Sequence, residues 1–312
     1  MNDFAIIGDV ASGLHRELRE RFGIDDYIVG KVVFPDGTDH VADLDWEEIS
    51  PDEYYSSMKT GKAIYKTGIV SLQAATDVIE KYLQQGRDAL VITLSSGMSG
   101  SHNVYLSAKK ELEAKYPDRK VCIVDSLRFS TPIVMMNMKA SEMRSAGCTI
   151  EETAAWLEKN RNRFRQMGLM NDLKFLARTG RVTNFKAFFG TLVGVNALGD
   201  FSPAGISQVL GNVKGITKAL SATIEYVKRT IENPEEQIIF IGHTYRINEA
   251  RKLKAMVEEQ LSPKEVIITR VDMSSGANIG PGMVGVYYFG KEATEGLAEE
   301  TKIMEETIAA QK

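Results

Sequence analysis

Three short apolar runs in the first half of the chain constrain its fold more than any other feature. They cover residues 4–7, 88–94 and 120–124. Each run is apolar through its centre and rich in β-branched residues, as expected for a strand that is covered on both faces. Segments with helical patterns separate the runs. We therefore predict a parallel, three-layer α/β domain over residues 1–163.

Helix starts can be read between these strands. Ser50 followed by Pro51 combines an N-cap residue with a proline at the first helical position. Ser71 is the predicted N-cap of a second helix, which ends before Gly86. Residues 35–37, with the sequence Pro-Asp-Gly, predict a turn between two further strands. Strands and helices thus alternate throughout this half of the chain.

The second half of the chain has a different pattern, in which strands follow one another closely. The turn at residues 202–205 predicts a hairpin between two of them. Helices are predicted over about 215–232 and 247–260, and a last helix from about residue 291. We therefore predict a second α/β domain with a mixed sheet over residues 164–312. The strand candidates cover residues 166–171, 191–197, 206–213, 237–242, 266–271 and 284–289.

Charge and residue usage exclude several classes of function. The 38 basic and 42 acidic residues give a formal net charge of −4, which offers no overall attraction to nucleic acid. The cysteines, Cys122 and Cys148, fit neither a disulfide framework nor a zinc site. There is no P-loop and no dinucleotide fingerprint, so we expect no cofactor and no metal. The N-terminus lacks a signal segment and no apolar run reaches about 18 residues, so we expect a cytoplasmic protein without a membrane span. We also expect a monomer.

The most unusual segment is 94–103, with the sequence LSSGMSGSHN. It follows a predicted core strand and precedes a helix, at the edge where parallel α/β sheets bind ligands. Its four serines and two glycines place hydroxyls and backbone N–H groups at a helix N-terminus, which can receive an anion. A capped turn would use one serine, so we favour a ligand site. The alternative is a catalytic serine in the loop from Ser95 to Ser101, although the G-x-S-x-G elbow is absent.

Other candidate residues also have a purely structural interpretation. Thr67 lies in a polar loop that leads into a helix, and Asp9 ends the first strand. Arg178 and Arg181 flank a glycine and could hold a phosphate or a partner's carboxylate, but a solvated turn explains them equally well. The glycine-rich loop at 278–285 lets backbone approach a ligand, and a plain turn explains it as well.

Taken together in their order along the chain, these segments resemble the DegV family, and the resemblance covers almost the whole chain. It implies a parallel α/β domain followed by a mixed-sheet domain, with a fatty acid in a tunnel between them. It also implies no catalysis by the chain itself, because several members are carrier subunits that present the fatty acid carboxylate to an ATP-binding fatty acid kinase subunit. The motifs are LSSGMSG at 94–100, VDS at 124–126, the T-x-x-x-S of Thr67 and Ser71, TGRV at 179–182 and GPG at 280–282.

The resemblance assigns roles residue by residue. Thr67 and Ser96 correspond to the residues that hydrogen-bond the carboxylate. Arg181 would face the head group or the kinase partner, with Arg178 beside it on the partner side. The expected ligand-binding residues are Asp9, Thr67, Ser95, Ser96, Arg181, Asn278 and Gly280. If the alternative holds, the chain is instead an acyl-ester hydrolase or acyltransferase.

The chain departs from the family pattern in four places. The family's D-S-T after the first strand is here Asp9 followed by valine and alanine, and its S-Q-P is replaced by residues 68–70, Gly-Ile-Val. A glycine-rich stretch is replaced by residues 131–136. These three changes predict a less polar pocket. The histidine that usually precedes the GPG motif is Asn278, which predicts weaker coupling to a kinase.

Overall fold

The computed structural model describes residues 3–59, 61, 63–170, 175, 180–183 and 194–311. The chain divides into two compact units, and neither is one continuous stretch. The first unit contains Met1–Ile49, Ile64–Arg161 and Asp272–Ala277. The second contains Ser50–Ala63, Asn162–Val271 and Asn278–Lys312. The predicted boundary at 163 lies close to the break between Arg161 and Asn162. A division at 163 would place residues 50–63 in the first unit and residues 272–277 in the second. Residues 50–63 belong instead to the second unit, and residues 272–277 belong to the first.

The N-terminal half contains a parallel sheet and a small antiparallel sheet. The strands are β1 (Phe4–Asp9), β2 (Asp26–Ile28), β3 (Gly30–Val33), β4 (Asp39–Ala42), β5 (Lys66–Thr67), β6 (Asp88–Thr93) and β7 (Val121–Asp125). The parallel sheet has the order β2-β1-β6-β7, and the antiparallel sheet has the order β4-β3-β5. Every residue of β1 is buried, and burial of its first four residues agrees with the apolar run at 4–7. The predicted parallel α/β arrangement is confirmed.

Six helices belong to the same half of the chain. They are α1 (Arg16–Phe22), α2 (Pro51–Lys59), α3 (Leu72–Gln84), α4 (Ser101–Lys115), α5 (Thr131–Ser145) and α6 (Ile150–Asn160). Both predicted N-caps are confirmed. The Ser71 hydroxyl accepts from the Ala74 N–H at 3.1 Å, and the Ser50 hydroxyl accepts from the Glu53 N–H at 3.2 Å. Helices α3 and α4 pack together against the parallel sheet, while α1, α5 and α6 form a second group on it.

The second half contains a seven-stranded mixed sheet. Its strands are β8 (Phe164–Met170), β9 (Val182–Thr183), β10 (Val195–Phe201), β11 (Ser207–Lys214), β12 (Ile238–His243), β13 (Glu265–Arg270) and β14 (Val284–Phe289), in the order β13-β12-β14-β8-β10-β11-β9. Strands β10 and β11 form the predicted hairpin, closed by a bond from the Gly205 N–H to the Ser202 carbonyl at 3.0 Å. The predicted mixed sheet is confirmed. Part of the strand predicted at 191–197 lies outside the described residues.

Among the described residues, the helices that accompany this sheet or precede its last strand include α7 (Ile216–Thr230), α8 (Ile247–Leu261), α9 (Met273–Ile279) and α10 (Ala298–Ala309). Short 3₁₀ turns occupy Arg161–Arg163, Pro234–Glu236 and Glu295–Leu297. The last helix begins later than the predicted residue 291. Gly296 and Leu297 have φ angles of 61° and 55°, and this left-handed backbone cannot continue a right-handed helix. The short helix α9 was not predicted, because the sequence at 273–279 has no helical apolar pattern.

The second unit contains a buried charged group, formed by the side chains of Arg165, Asp200 and Glu300. The guanidinium of Arg165 donates to Asp200 Oδ2 through Nε at 2.9 Å, and Arg165 Nη2 lies 3.3 Å from Glu300 Oε1. The Tyr226 hydroxyl donates to the same Asp200 oxygen at 2.9 Å. Arg165 and Asp200 are fully buried. Buried charges must be paired and hydrogen-bonded, and these side chains meet that condition.

Helix α2 comes from the N-terminal half of the sequence but belongs to the second unit. Its Tyr54, Tyr55 and Met58 side chains are buried. The Tyr55 hydroxyl donates to the backbone carbonyl of Val271 at 2.8 Å, next to the end of β13. The helical pattern of α2 was readable from the sequence, but the unit that it joins was not.

Among the described residues, no helix combines the length and the apolar character that crossing a bilayer requires.

Candidate functional site

Most serines of the 94–101 loop hold the loop itself together. The loop joins β6 to α4, at the carboxyl end of the parallel sheet. The Ser95 hydroxyl accepts from the Gly97 N–H at 3.1 Å, and the Ser99 hydroxyl accepts from the Ser101 N–H at 3.2 Å. Ser95 is fully buried. These hydroxyls therefore stabilise the turn, which agrees with the structural interpretation of the loop as a capped turn.

Ser96 is different, because it is exposed at the tip of the loop. Its hydroxyl donates to Asp125 Oδ2 at 2.6 Å, and its backbone N–H donates to Asp125 Oδ1 at 3.1 Å. Asp125 Oδ1 also accepts from the Leu127 N–H at 3.1 Å. Asp125 thus fixes both the backbone and the side chain of Ser96.

Asp125 was not among the predicted site residues, although a signal for it existed. It ends β7, which is the neighbour of β6 in the parallel sheet. Side chains that follow adjacent parallel strands meet at the same sheet edge. The Val-Asp-Ser motif at 124–126 is part of the family resemblance, but the resemblance assigns no role to its aspartate.

The loop that carries Thr67 lies beside the serine loop. Thr67 ends β5, where it pairs with Val32 of β3, and its side chain is half-buried. The Val70 N–H donates to the Ser101 hydroxyl at 3.3 Å. The exposed Ile69 side chain lies 4.0 Å from where a Cβ atom on Gly100 would be. The first unit therefore brings together the two loops that the sequence predicted to hold a carboxylate.

Asp9 is enclosed within the first unit. Its Oδ1 accepts from the Ala11 N–H at 2.8 Å, and its Oδ2 accepts from the Tyr105 hydroxyl at 2.8 Å. Burial raises the pKa of the Asp9 carboxyl group. Both oxygens already serve internal bonds, which fits the structural interpretation of Asp9. Its role in ligand binding stays a prediction.

The remaining predicted site residues that are described belong to the second unit. Arg181 is exposed and precedes β9, which pairs in parallel with β11. Arg178 lies outside the described residues. Asn278 lies in the last turn of α9, directly before the GPG motif at 280–282. The parts assigned to Arg181 and Asn278 in binding stay predictions.

Backbone geometry alone explains why Gly280 is a glycine. Its φ of +76° is in the left-handed region, and a Cβ atom there would lie 2.6 Å from Cγ of Phe175. Gly282 has a φ of +103°, and its N–H donates to the Thr244 carbonyl at 2.8 Å. The GPG loop is therefore fixed by close packing, whether or not a ligand contacts it.

The geometry near the loop gives little support to a catalytic serine. His102, the histidine nearest in sequence, lies at the start of α4 with its Nδ1 2.9 Å from Thr93 Oγ1. His102 Nδ1 thus contacts a threonine hydroxyl, whereas an activated serine requires an adjacent base. In the part of the chain that the structure describes, no three histidine, cysteine, aspartate or glutamate side chains are grouped to hold a metal ion.

Comparison with known proteins decides the family. A family model, described as an uncharacterised protein of the DegV family, matches residues 3–291. The chain belongs to the DegV family. The resemblance based on five short motifs is thereby confirmed. A DegV relative from Thermotoga maritima, named a fatty acid-binding protein, is 30% identical over 292 residues, which are 88% of this chain and 93% of the relative.

Solved structures of DegV proteins share the fold. The crystal structure of a DegV lipid-binding protein from Thermotoga maritima matches with a TM-score of 0.80 and 25% identity, over 93% of this chain and 99% of its own. The fatty acid kinase B3 protein of Streptococcus pneumoniae, solved with linoleic acid, matches with a TM-score of 0.78 over 92% of this chain and 99% of its own. At 17% identity, this second likeness shows the fold alone.

Proposed function

We propose that this DegV protein binds one long-chain fatty acid, with its carboxyl group at Thr67 and Ser96. The observation that carries the proposal is the exposed Ser96 hydroxyl in a loop that contacts the Thr67 loop, at the ligand-binding edge of a parallel sheet. The name of the relative from Thermotoga maritima, a fatty acid-binding protein, supports the choice of ligand.

The acyl tail supplies most of the binding free energy. About fifteen buried methylene groups at ~0.8 kcal/mol each offer on the order of 12 kcal/mol before the costs of ordering are subtracted. A hydrogen bond to a charged head group adds only about 1.5–3 kcal/mol. We therefore expect the tail to supply most of the affinity, and the polar residues at the head group to change it by a smaller amount.

Purified protein should therefore carry a fatty acid, and head-group variants should bind it more weakly without losing it. We expect Ser96→Ala and Thr67→Ala each to raise Kd by roughly 10- to 100-fold, because each loses one hydrogen bond to the ligand. Ser107→Ala is the matched control, since Ser107 is an exposed serine of α4 whose hydroxyl donates to the Asn103 carbonyl at 3.0 Å. Mass spectrometry of the extracted lipid and titration with fatty acid measure both effects. Unchanged affinity in both head-group variants would remove these residues from the site.

We propose that the chain binds its ligand without transforming it. The contact between His102 Nδ1 and Thr93 Oγ1 supports this, because it engages the histidine that is nearest to the loop in sequence. Incubation with acyl esters tests the alternative of a hydrolase or acyltransferase. A carrier releases its ligand unchanged, whereas a hydrolase liberates the acid.

We also propose that the chain can present its fatty acid to a separate kinase subunit, and that Asn278 limits this role. A histidine beside a carboxylate can carry positive charge near neutral pH, and that charge would offset the negative charge that accumulates as a phosphoryl group arrives. Asparagine can donate a hydrogen bond but cannot supply the charge. In an assay with a fatty acid kinase subunit, Asn278→His should form more acyl phosphate than the wild type, while Kd for the fatty acid changes little. Equal rates for the two proteins would show that Asn278 does not limit phosphorylation.

A further inference from the structure

We infer that Asp125 sets the direction of the Ser96 hydrogen bond, so that the fatty acid is bound as the protonated acid, which donates to Ser96 Oγ. This inference rests on the proposed function. It assigns Asp125 as a positioning residue that determines the protonation state of the bound head group.

The geometry of Ser96 leaves one choice for its proton. An ionised carboxylate only accepts hydrogen bonds, so at 2.6 Å from Asp125 Oδ2 the Ser96 hydroxyl must donate to it. A hydroxyl has a single proton. Toward a ligand, Ser96 therefore offers only the lone pairs of its oxygen. A head group that contacts Ser96 in this arrangement must be a donor, as a protonated carboxylic acid is and a carboxylate is not.

The charge of Asp125 acts in the same direction. A ligand oxygen at hydrogen-bond distance from Ser96 Oγ lies within roughly 5 Å of the Asp125 carboxylate. Two ionised carboxylates at that separation repel each other, and a proton taken up by the fatty acid removes the repulsion. The proton comes from solvent when the fatty acid anion binds, and it returns to solvent on release. The resulting chain runs from the acid O–H to Ser96 Oγ, and from the Ser96 O–H to Asp125 Oδ2.

Neighbouring cations do not neutralise Asp125 directly. Arg161 Nη1 donates to the backbone carbonyl of Asp125 at 3.0 Å, and Arg128 Nη1 donates to the Leu127 carbonyl at 2.7 Å. His102, on α4, contacts Thr93 of the neighbouring strand. Among the described residues, no lysine, arginine or histidine forms an ion pair with the Asp125 carboxylate. A proton taken up by the fatty acid would balance the second negative charge there.

The test compares a fatty acid with the fatty alcohol of the same chain length, in wild type and in Asp125→Asn. Between about pH 6 and about pH 8.5, the free acid is an anion, so uptake of one proton raises the wild-type Kd for the acid by up to about tenfold per pH unit. The alcohol is a donor without charge, and its Kd should stay constant. This comparison within the wild type stands even if the variant folds poorly.

The asparagine variant reverses the hydrogen bond. Its Oδ1 can still accept from the Ser96 and Leu127 N–H groups, while its Nδ2 donates to Ser96 Oγ. The Ser96 proton is then directed to the ligand. We expect Asp125→Asn to bind the acid with little dependence on pH, and more tightly than wild type at the alkaline end.

The outcomes separate this inference from the proposed function. If the wild type binds the acid equally well at all pH values, the inference that the acid is bound in its protonated form is wrong. Fatty acid binding itself is left intact by that result. The same pH slope in a folded Asp125→Asn variant also overturns the inference. A protein that binds neither acid nor alcohol at any pH overturns the proposed function, and this inference with it.

Discussion

Asp200→Asn is expected to lower the free energy of unfolding by about 3–5 kcal/mol, because it leaves the buried Arg165 guanidinium without its main counter-charge. Asparagine keeps the shape of the side chain. Its Oδ1 can still accept from the Gln166 N–H, which donates to Asp200 Oδ1 at 3.1 Å in the wild type. Its amide nitrogen, however, would face the donors of Arg165 and the hydroxyl of Tyr226. Urea denaturation of the two proteins measures the difference through the shift in the midpoint.

Glu232→Gln is the matched control for this prediction. Glu232 forms an ion pair with Arg163, but both side chains are about one-third exposed, at 39% and 31%. Exposed pairs contribute little, so this variant should change the free energy of unfolding by less than about 1 kcal/mol. If Asp200→Asn were no more destabilising than Glu232→Gln, the charged group in the second unit would not stabilise the fold as we describe.

A fragment of residues 164–312, cut at the predicted domain boundary, is expected not to fold into a monomer. It lacks helix α2, which belongs to the second unit and buries Tyr54, Tyr55 and Met58. Each such side chain contributes about 1.5–3 kcal/mol when fully buried. Their combined loss is comparable with the total stability of an ordinary domain, ~5–15 kcal/mol. Circular dichroism, gel filtration and thermal melting of the fragment measure this.

The control for the fragment restores what it lacks. Residues 50–63, joined to the N-terminus of the same fragment through a flexible Gly/Ser linker, should recover a cooperative melting transition. The same fusion with serine at Tyr54, Tyr55 and Met58 should not. A cooperative, monomeric fragment without residues 50–63 would mean that α2 is dispensable to the second unit.

The sequence predicted those parts of the fold that depend on local patterns. Strands with apolar centres such as β1 and β6, the caps at Ser50 and Ser71, and the hairpin turn at 202–205 are all determined by neighbours in the chain. It did not predict which unit α2 joins, because an apolar helix face specifies burial but not a partner. It placed the start of the last helix too early, since no local rule puts Leu297 at a positive φ.

The candidate site was predicted in part for the same reason. The serine loop and Thr67 could be located because a strand followed by small polar residues marks the ligand edge of a parallel sheet. The pairing of Ser96 with Asp125 joins residues 29 positions apart, and it depends on β6 and β7 being neighbours. Asp9 looked equally suitable in the sequence, but its enclosure by Tyr105 depends on tertiary packing.

Each unit includes a segment from the other half of the sequence, so the order of synthesis determines when each unit can be completed. A ribosome adds about 5–20 residues per second, so the stretch from residue 63 to residue 162 takes on the order of 5–20 s to make. Helices and small sheets form in far less than a second. During that interval α2 lacks the rest of the unit to which it belongs. The first unit must likewise wait for residues 272–277, close to the end of the chain. Both units of this protein are therefore completed late in synthesis.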